Sequence, residues 1–301
     1  MRMNPVETAA DTGRFFDGGT VTDPPDPACP PRVVLERVEV GDVRRRTERF
    51  RMQRRIAYRD REYGVLLVPA DPGSFESDLA SVPALFTWLV PRTGRHLPPA
   101  LLHDGLVHRA DEPADYVSVD GHVLDRVAAD RVFRDAMRDT DTGPVRSWLV
   151  WSAVTLGTIR AGSTAWSRGQ HLRYLVAAAG SLLLIATLGV LATLDLFDVV
   201  DVLPWMGERG FVEELVGGLA GAVVVPLLLG LTWGRFRVAG AVTGVALAVL
   251  LHVTVVLALI SLGYLATESL ARRQPVVALT LAGVLAGASV LVLVLAVGPM
   301  R

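Results

Sequence analysis

The stretch Tyr174-Leu175-Val176-Ala177-Ala178-Ala179-Gly180-Ser181-Leu182-Leu183-Leu184-Ile185-Ala186-Thr187-Leu188-Gly189-Val190-Leu191-Ala192-Thr193-Leu194-Asp195-Leu196-Phe197 carries no charge before Asp195. It is longer than the about 20 residues that a helix needs to cross the hydrocarbon core of a bilayer. Three runs of the same kind follow, at about 211–233, 238–266 and 275–298. An Asp/Pro/Gly loop, then Gly234-Arg235-Phe236-Arg237, then Glu268 to Gln274 part them. This pattern predicts an all-α four-helix transmembrane bundle over 172–298, with the lipid bilayer as its surroundings.

Outward from these runs the composition changes sharply. Residues 1–170 hold most of the charge, so the formal net charge of -1 describes neither half and no nucleic-acid partner is predicted. The mean hydropathy of +0.39 is too apolar for an ordinary soluble protein, and the excess lies in the second half. Cys29 is the only cysteine, which excludes an intrachain disulfide and a Cys-ligated zinc site. No apolar run precedes Pro27, so no secretory signal is read there. Arg160, Arg168, Arg173, Arg235, Arg237 and Arg301 fall on the side of the charged half, against Arg209, Arg272 and Arg273 on the other. By the positive-inside rule both termini are expected in the cytoplasm, the protein lying in the inner (plasma) membrane.

The charged half reads as an α+β domain, a small antiparallel sheet plus helices, over 33–168. Residues 1–32, rich in Asp, Thr, Gly and Pro, read as a disordered leader. Strand-like alternation starts at Val33 and recurs in Arg51–Tyr58 and Tyr63–Val68. Pro98-Pro99 opens a helix at about Pro99 that runs to about His108 or Arg109. A second helix is expected over about Arg126–Arg138. Starting it earlier, at Gly121, would put Asp125 in its apolar arc, whereas Asp125 as N-cap removes the conflict. Val145–Ile159 is a third, apolar helix, read as core or interfacial.

The two shorter helices carry the chemistry. Projected at about 100° per residue, His103 lies near the centre of its helix's apolar face, while Asp104 lies to the side next to His108. Asp130 sits at the margin of the apolar arc of the second helix, near Phe133 and Met137. A buried imidazole needs a partner, and Asp130 supplies one if the helices pack antiparallel. Two readings stay open. In one, His103 is a base oriented by Asp130 through an Nδ1–H bond, and Asp104 binds a cation or steers water. In the other, a His–Asp bond pins two helices and Asp104 is a solvated acid. Asp78, ahead of Ser81-Val82-Pro83, reads as a turn or cap residue.

Ser77-Asp78-Leu79-Ala80-Ser81-Val82-Pro83, Trp88, Ala100-Leu101-Leu102-His103-Asp104 and Ala129-Asp130-Arg131-Val132-Phe133 occur in an order that resembles the domain-of-unknown-function family 1353 (DUF1353), known from phages and bacteria. The resemblance covers about residues 33–165 and implies a fold and candidate residues, with no reaction attached. Members often have Tyr four residues after the His, where this chain has Val107. A weaker similarity is to the helix pair of phospholipase A2. It implies His103 as water activator, Asp130 as its orienter, and Asp104 as ligand of a divalent cation such as Ca2+. The chain lacks that family's Gly-rich calcium loop and disulfides.

Other signals are sparser. His96, His108 and His122 are candidate companions of Asp104 in a metal site, or solvated loop residues. Arg44-Arg45-Arg46 and Arg54-Arg55 are candidates for lipid headgroups, or solvated turns. His252, near the middle of the third apolar run, is a functional candidate as an ionisable residue at depth. Gly217/Gly221, Gly240/Gly244 and Gly283/Gly287 are expected close-packing faces for a bundle or a homo-oligomer, and Pro226 is expected to kink its helix. Three function classes follow: a membrane-tethered binding or structural module, phage-related by its resemblance; a membrane-associated hydrolase using His103 and Asp130; and a small transporter or channel centred on His252.

Overall fold

Asp60-Arg61-Glu62-Tyr63-Gly64 forms the tight turn around which the N-terminal domain is organised. Asp60 Oδ1 accepts from the backbone N–H of Glu62 (2.9 Å) and Tyr63 (3.0 Å), and Gly64 takes a φ of 66° that a side chain would oppose. The turn joins β4 (Ile56–Asp60) to β5 (Gly64–Val68), paired from Ile56↔Val68 to Asp60↔Gly64. With β1 (Phe15–Asp17) and β7 (Val117–Ser118) they make an antiparallel four-stranded sheet in the order β1-β4-β5-β7. Strands β2 (Leu35–Val40), β3 (Thr47–Met52) and β6 (Glu76–Ser77) make a second, three-stranded sheet. The single small sheet expected from sequence is thus two. The computed structural model describes residues 13–40, 47–77, 79, 91, 93–107, 115–206, 210–277, 279–280, 283–284 and 287–288.

The expected leader is corrected over its described part, residues 13–32. Phe15 and Phe16 are buried, Phe15–Asp17 pairs with Tyr58–Ile56, and Asp17 is held by Arg54 at 2.9 Å. A segment polar on average still docks where two adjacent aromatic side chains fall on opposite faces of one short strand.

Helices α1 (Leu97–Leu106) and α2 (Arg126–Asp139) pack on the first sheet and on each other, and α3 (Pro144–Ala161) packs on α2. Pro98 and Pro99 occupy the first turn of α1, where a missing N–H costs no helix bond. Asp125 is the N-cap of α2 as expected, its Oδ1 accepting from Ala128 N at 2.8 Å. Leu101, Leu102 and Leu106 of α1 pack with Ile56, Tyr58 and Leu66 in the main core. Gly105 keeps α1 against β5, because a Cβ there would collide with Val68. Helix α3 buries a stripe of small polar residues, Ser147, Ser152, Thr155 and Thr158, while Val145 is exposed.

The C-terminal region is helical. Helix α4 (Arg168–Leu196) starts with a capping box between Ser167 and Gln170. Helix α5 (Phe211–Gly230) continues through Pro226 and passes by a 3-10 turn (Leu231–Phe236) into α6 (Arg237–Arg273). At Gly234 the backbone leaves helical geometry (φ 59°, ψ -118°). The chain then doubles back. A Cβ on Gly240 would lie 2.6 Å from the Trp233 ring, and one on Gly244 would lie 2.9 Å from both Pro226 and Ile185. Gly217 and Gly221 are likewise faced by Trp205 of this chain, whereas Gly283 and Gly287 meet nothing within 4 Å among the described residues.

Two helical stretches among the described residues are long and apolar enough to cross a membrane, Arg168–Leu196 and Phe211–Arg273. The first covers the expected run 174–197 up to Leu196, and the second takes in both 211–233 and 238–266. The expected bundle of four is therefore shown only as these two stretches. The expected separating segment Glu268–Gln274 is narrower than read: α6 runs on to Arg273, with an Arg272–Glu268 ion pair at 2.8 Å one turn apart, and the helix breaks at Gln274. The fourth run, 275–298, lies largely outside the described residues. By packing the chain divides into Met1–Val249 and Leu250–Arg301. In the second unit His252 is on α6 and exposed.

Candidate functional site

Helices α1 and α2 run antiparallel, since Ala100 meets Phe133 and Met137 while His103 meets Asp130 one turn on. His103 Nε2 lies 2.9 Å from Asp130 Oδ1. The side chains are 13% and 3% exposed. The expected pairing is present, but through Nε2 rather than Nδ1. An ionised carboxylate only accepts, so it fixes the proton on Nε2 and leaves Nδ1 as the basic nitrogen. The His103 ring is 4.7 Å from the Phe133 ring, tilted by 30°, which limits its rotation. The second carboxylate oxygen, Asp130 Oδ2, is buried with no hydrogen-bond partner among the described residues.

Asp104 is not the solvated acid of the second sequence reading. Ser77 Oγ donates to Asp104 Oδ2 at 2.5 Å and accepts from Leu79 N at 2.9 Å. The register of β6 on β3, with Ser77 opposite Phe50, carries this hydroxyl to α1. Leu79 follows with φ 72°, an uncommon conformation for a residue with a Cβ, and is buried. The sequence reading assigned Ser77 and Phe133 no role. The signal for Ser77 was its place at the head of the Ser-Asp-Leu-Ala-Ser-Val-Pro motif, and for Phe133 its place three residues after Asp130.

The other candidates separate. His96 is buried at the N-terminus of α1, its Nε2 2.6 Å from Pro91 O, and burial pushes its imidazole below the ordinary range. His122 is exposed, edge-on to Tyr63 at 5.5 Å. Asp78, His108, Ser81-Val82-Pro83, Trp88, Arg109 and Arg44-Arg45-Arg46 lie outside the described residues. Among the described residues no three His, Cys, Asp or Glu side chains gather to hold a metal ion. Arg54 is tied to Asp17, and the Arg55 guanidinium donates to the carbonyls of Thr20, Pro69 and Ala70, so both serve the fold.

Away from the pair, Asp139 is structural. Burial alone would raise the Asp139 carboxyl, but the bidentate Arg61 (2.7 and 2.9 Å) and the Tyr58 hydroxyl (2.8 Å) hold it below the usual range. The buried Tyr58 phenol is raised by burial and by that same carboxylate. His103 with Asp130 is thus the arrangement suited to proton transfer, with Ser77 and Asp104 beside it on the same helix and adjoining strand.

No curated protein and no solved structure matches the chain. Residues 50–154, which hold Ser77, His103, Asp104 and Asp130, match the family model described as "Protein of unknown function (DUF1353)", and the N-terminal half of the chain carries a DUF1353 domain.

Proposed function

We propose that this protein is a membrane-tethered module, its DUF1353 domain held at the cytoplasmic face of the inner membrane by a multi-pass helical anchor with both termini inside. The exposure of the apolar helices supports the reading. Arg168–Leu196 and Phe211–Arg273 are long and strongly apolar, yet only 17% and 0% of their most apolar stretches are buried within the protein. Continuous apolar surface of that length needs an apolar solvent. The full chain is expected to stay in the membrane pellet after an alkaline carbonate wash. A phosphatase fused after Arg301 should be inactive there, and a cytoplasmic reporter at the same place active. Release of the chain by carbonate would overturn the tether, and an active phosphatase the orientation.

The His103–Asp130 contact favours a second reading, a hydrolase acting on lipid esters. Nδ1 of His103 would take a proton from water as the hydroxide adds to the ester carbonyl, and would return it to the leaving alkoxide. Removing such a base lowers turnover by about 10²–10⁴-fold. On phospholipid vesicles, the full chain with His103→Ala, still folded by circular dichroism, should lose hydrolysis that the wild type shows. No turnover by the wild type on any phospholipid ester tried would leave the pair a pin between α1 and α2.

A further inference from the structure

We propose that the α3–α4 junction and the α5–α6 turn together form a cationic collar that binds the headgroups of anionic phospholipids. Three ring contacts bring together parts of the chain some sixty residues apart. Trp166 is 5.0 Å from Tyr174 and 5.6 Å from Phe236, and Tyr174 is 5.1 Å from Phe236. Trp233 is buried beside them, its Nε1 donating to Ser181 Oγ at 2.8 Å. His171 Nε2, 2.9 Å from Ile159 O, ties the start of α4 to the end of α3.

This clustering sets five arginines around one aromatic level: Arg160 at the end of α3, Arg168 and Arg173 in the first turns of α4, and Arg235 and Arg237 flanking Phe236. All five are exposed. Arg235 lies 5.4 Å from the Phe236 ring centroid. No acid occurs from Thr142 to Leu194 or from Leu215 to Thr267, so neither stretch holds a carboxylate that could neutralise them. Three arginines elsewhere in the domain contrast with them: Arg54, Arg61 and Arg131 each meet an aspartate within 3 Å. Aromatic rings at the border of an apolar helix belong at headgroup depth. Guanidinium groups at that depth, with no ion pair among the described residues, suit phosphodiester oxygens, which they bind in bidentate fashion.

The inference rests on the membrane-tether reading, and the test separates the two. The full chain in neutral detergent is titrated with short-chain phosphatidylglycerol, phosphatidylcholine or inorganic phosphate, with tryptophan fluorescence as readout because Trp166 and Trp233 sit in the collar. Phosphatidylglycerol should bind and the other two should not. Each basic residue at a surface contributes about fivefold in affinity, so changing Arg168, Arg173, Arg235 and Arg237 together to Gln should weaken binding by more than 100-fold. The same four changed to Lys should retain most of it. Raising salt should weaken wild-type binding, a check that does not depend on how the Gln variant folds. Equal response to phosphatidylcholine or inorganic phosphate, indifference to salt, or full binding by a folded Gln variant would overturn the collar. Carbonate retention of the wild type would still stand for the tether.

Discussion

Replacing His103 by Ala is expected to destabilise the full chain by about 3–5 kcal/mol, the cost of leaving one member of a buried pair uncompensated. Asp130 is 3% exposed and its Oδ2 already lacks a partner among the described residues, so removing Nε2–H takes away the bond that the carboxylate has. The reverse change, Asp130→Ala, should cost less, about 1–2 kcal/mol. It leaves an imidazole that is 13% exposed and can reach water. The double variant should be milder than His103→Ala alone, because removing both polar partners also removes the stranded charge. Denaturant unfolding in detergent micelles, followed by near-ultraviolet circular dichroism, measures all three. If Asp130→Ala were the more damaging single change, the charge would not reside where the geometry puts it.

The second large effect is expected at Arg131. Its guanidinium lies 2.9 Å from Asp60, whose side chain is 0% exposed, and also reaches Asp135 at 3.3 Å. Arg131→Met keeps the aliphatic stem and removes the charge. The loss should be about 3 kcal/mol, at the low end for a broken buried pair because Glu62 N and Tyr63 N still donate to Asp60. The pH dependence follows from the direction of the Asp60 shift. Burial would raise this carboxyl, but the Arg131 bond and the two backbone N–H groups outweigh it and lower it below 3.8. A carboxylate lowered in the folded state stabilises above its unfolded value of about 3.9, and that stability is lost as pH falls through the folded value. Wild type should therefore begin to lose this contribution only below about pH 4. In Arg131→Met burial regains weight and the folded carboxyl moves back toward its unfolded value, so this group's loss on acidification should shrink: the variant is less stable near neutral pH but declines less steeply below about pH 4. Parallel acid-unfolding curves for the two proteins would refute this.

Much of the fold was legible because its signals are local. The N-cap at Asp125 followed from a clash between one acid and an apolar arc, and the structure has the same cap. The start of α1 followed from the prolines, which need no neighbour to act. The docking of Phe15–Asp17 was hidden because the average polarity of residues 1–32 outweighed two aromatic side chains. The division into two sheets was hidden because strand pairing depends on long-range partners that alternation does not name.

The site divides in the same way. Helical periodicity alone turns His103 inward and puts Asp130 at the edge of its arc, so their meeting needed only antiparallel packing. The tertiary structure alone decided that Nε2 is the bonded nitrogen, that Asp130 Oδ2 is left unpaired among the described residues, and that Ser77 reaches Asp104 from another sheet. Those facts depend on rotamers and strand register, which the spacing of residues along one chain does not specify. The apolar runs were likewise evident from composition, because burying a helix in lipid needs only length and hydropathy. That Gly234 folds the second stretch back on itself, and that Trp166, Tyr174 and Phe236 gather arginines from two distant segments, was decided by packing between helices.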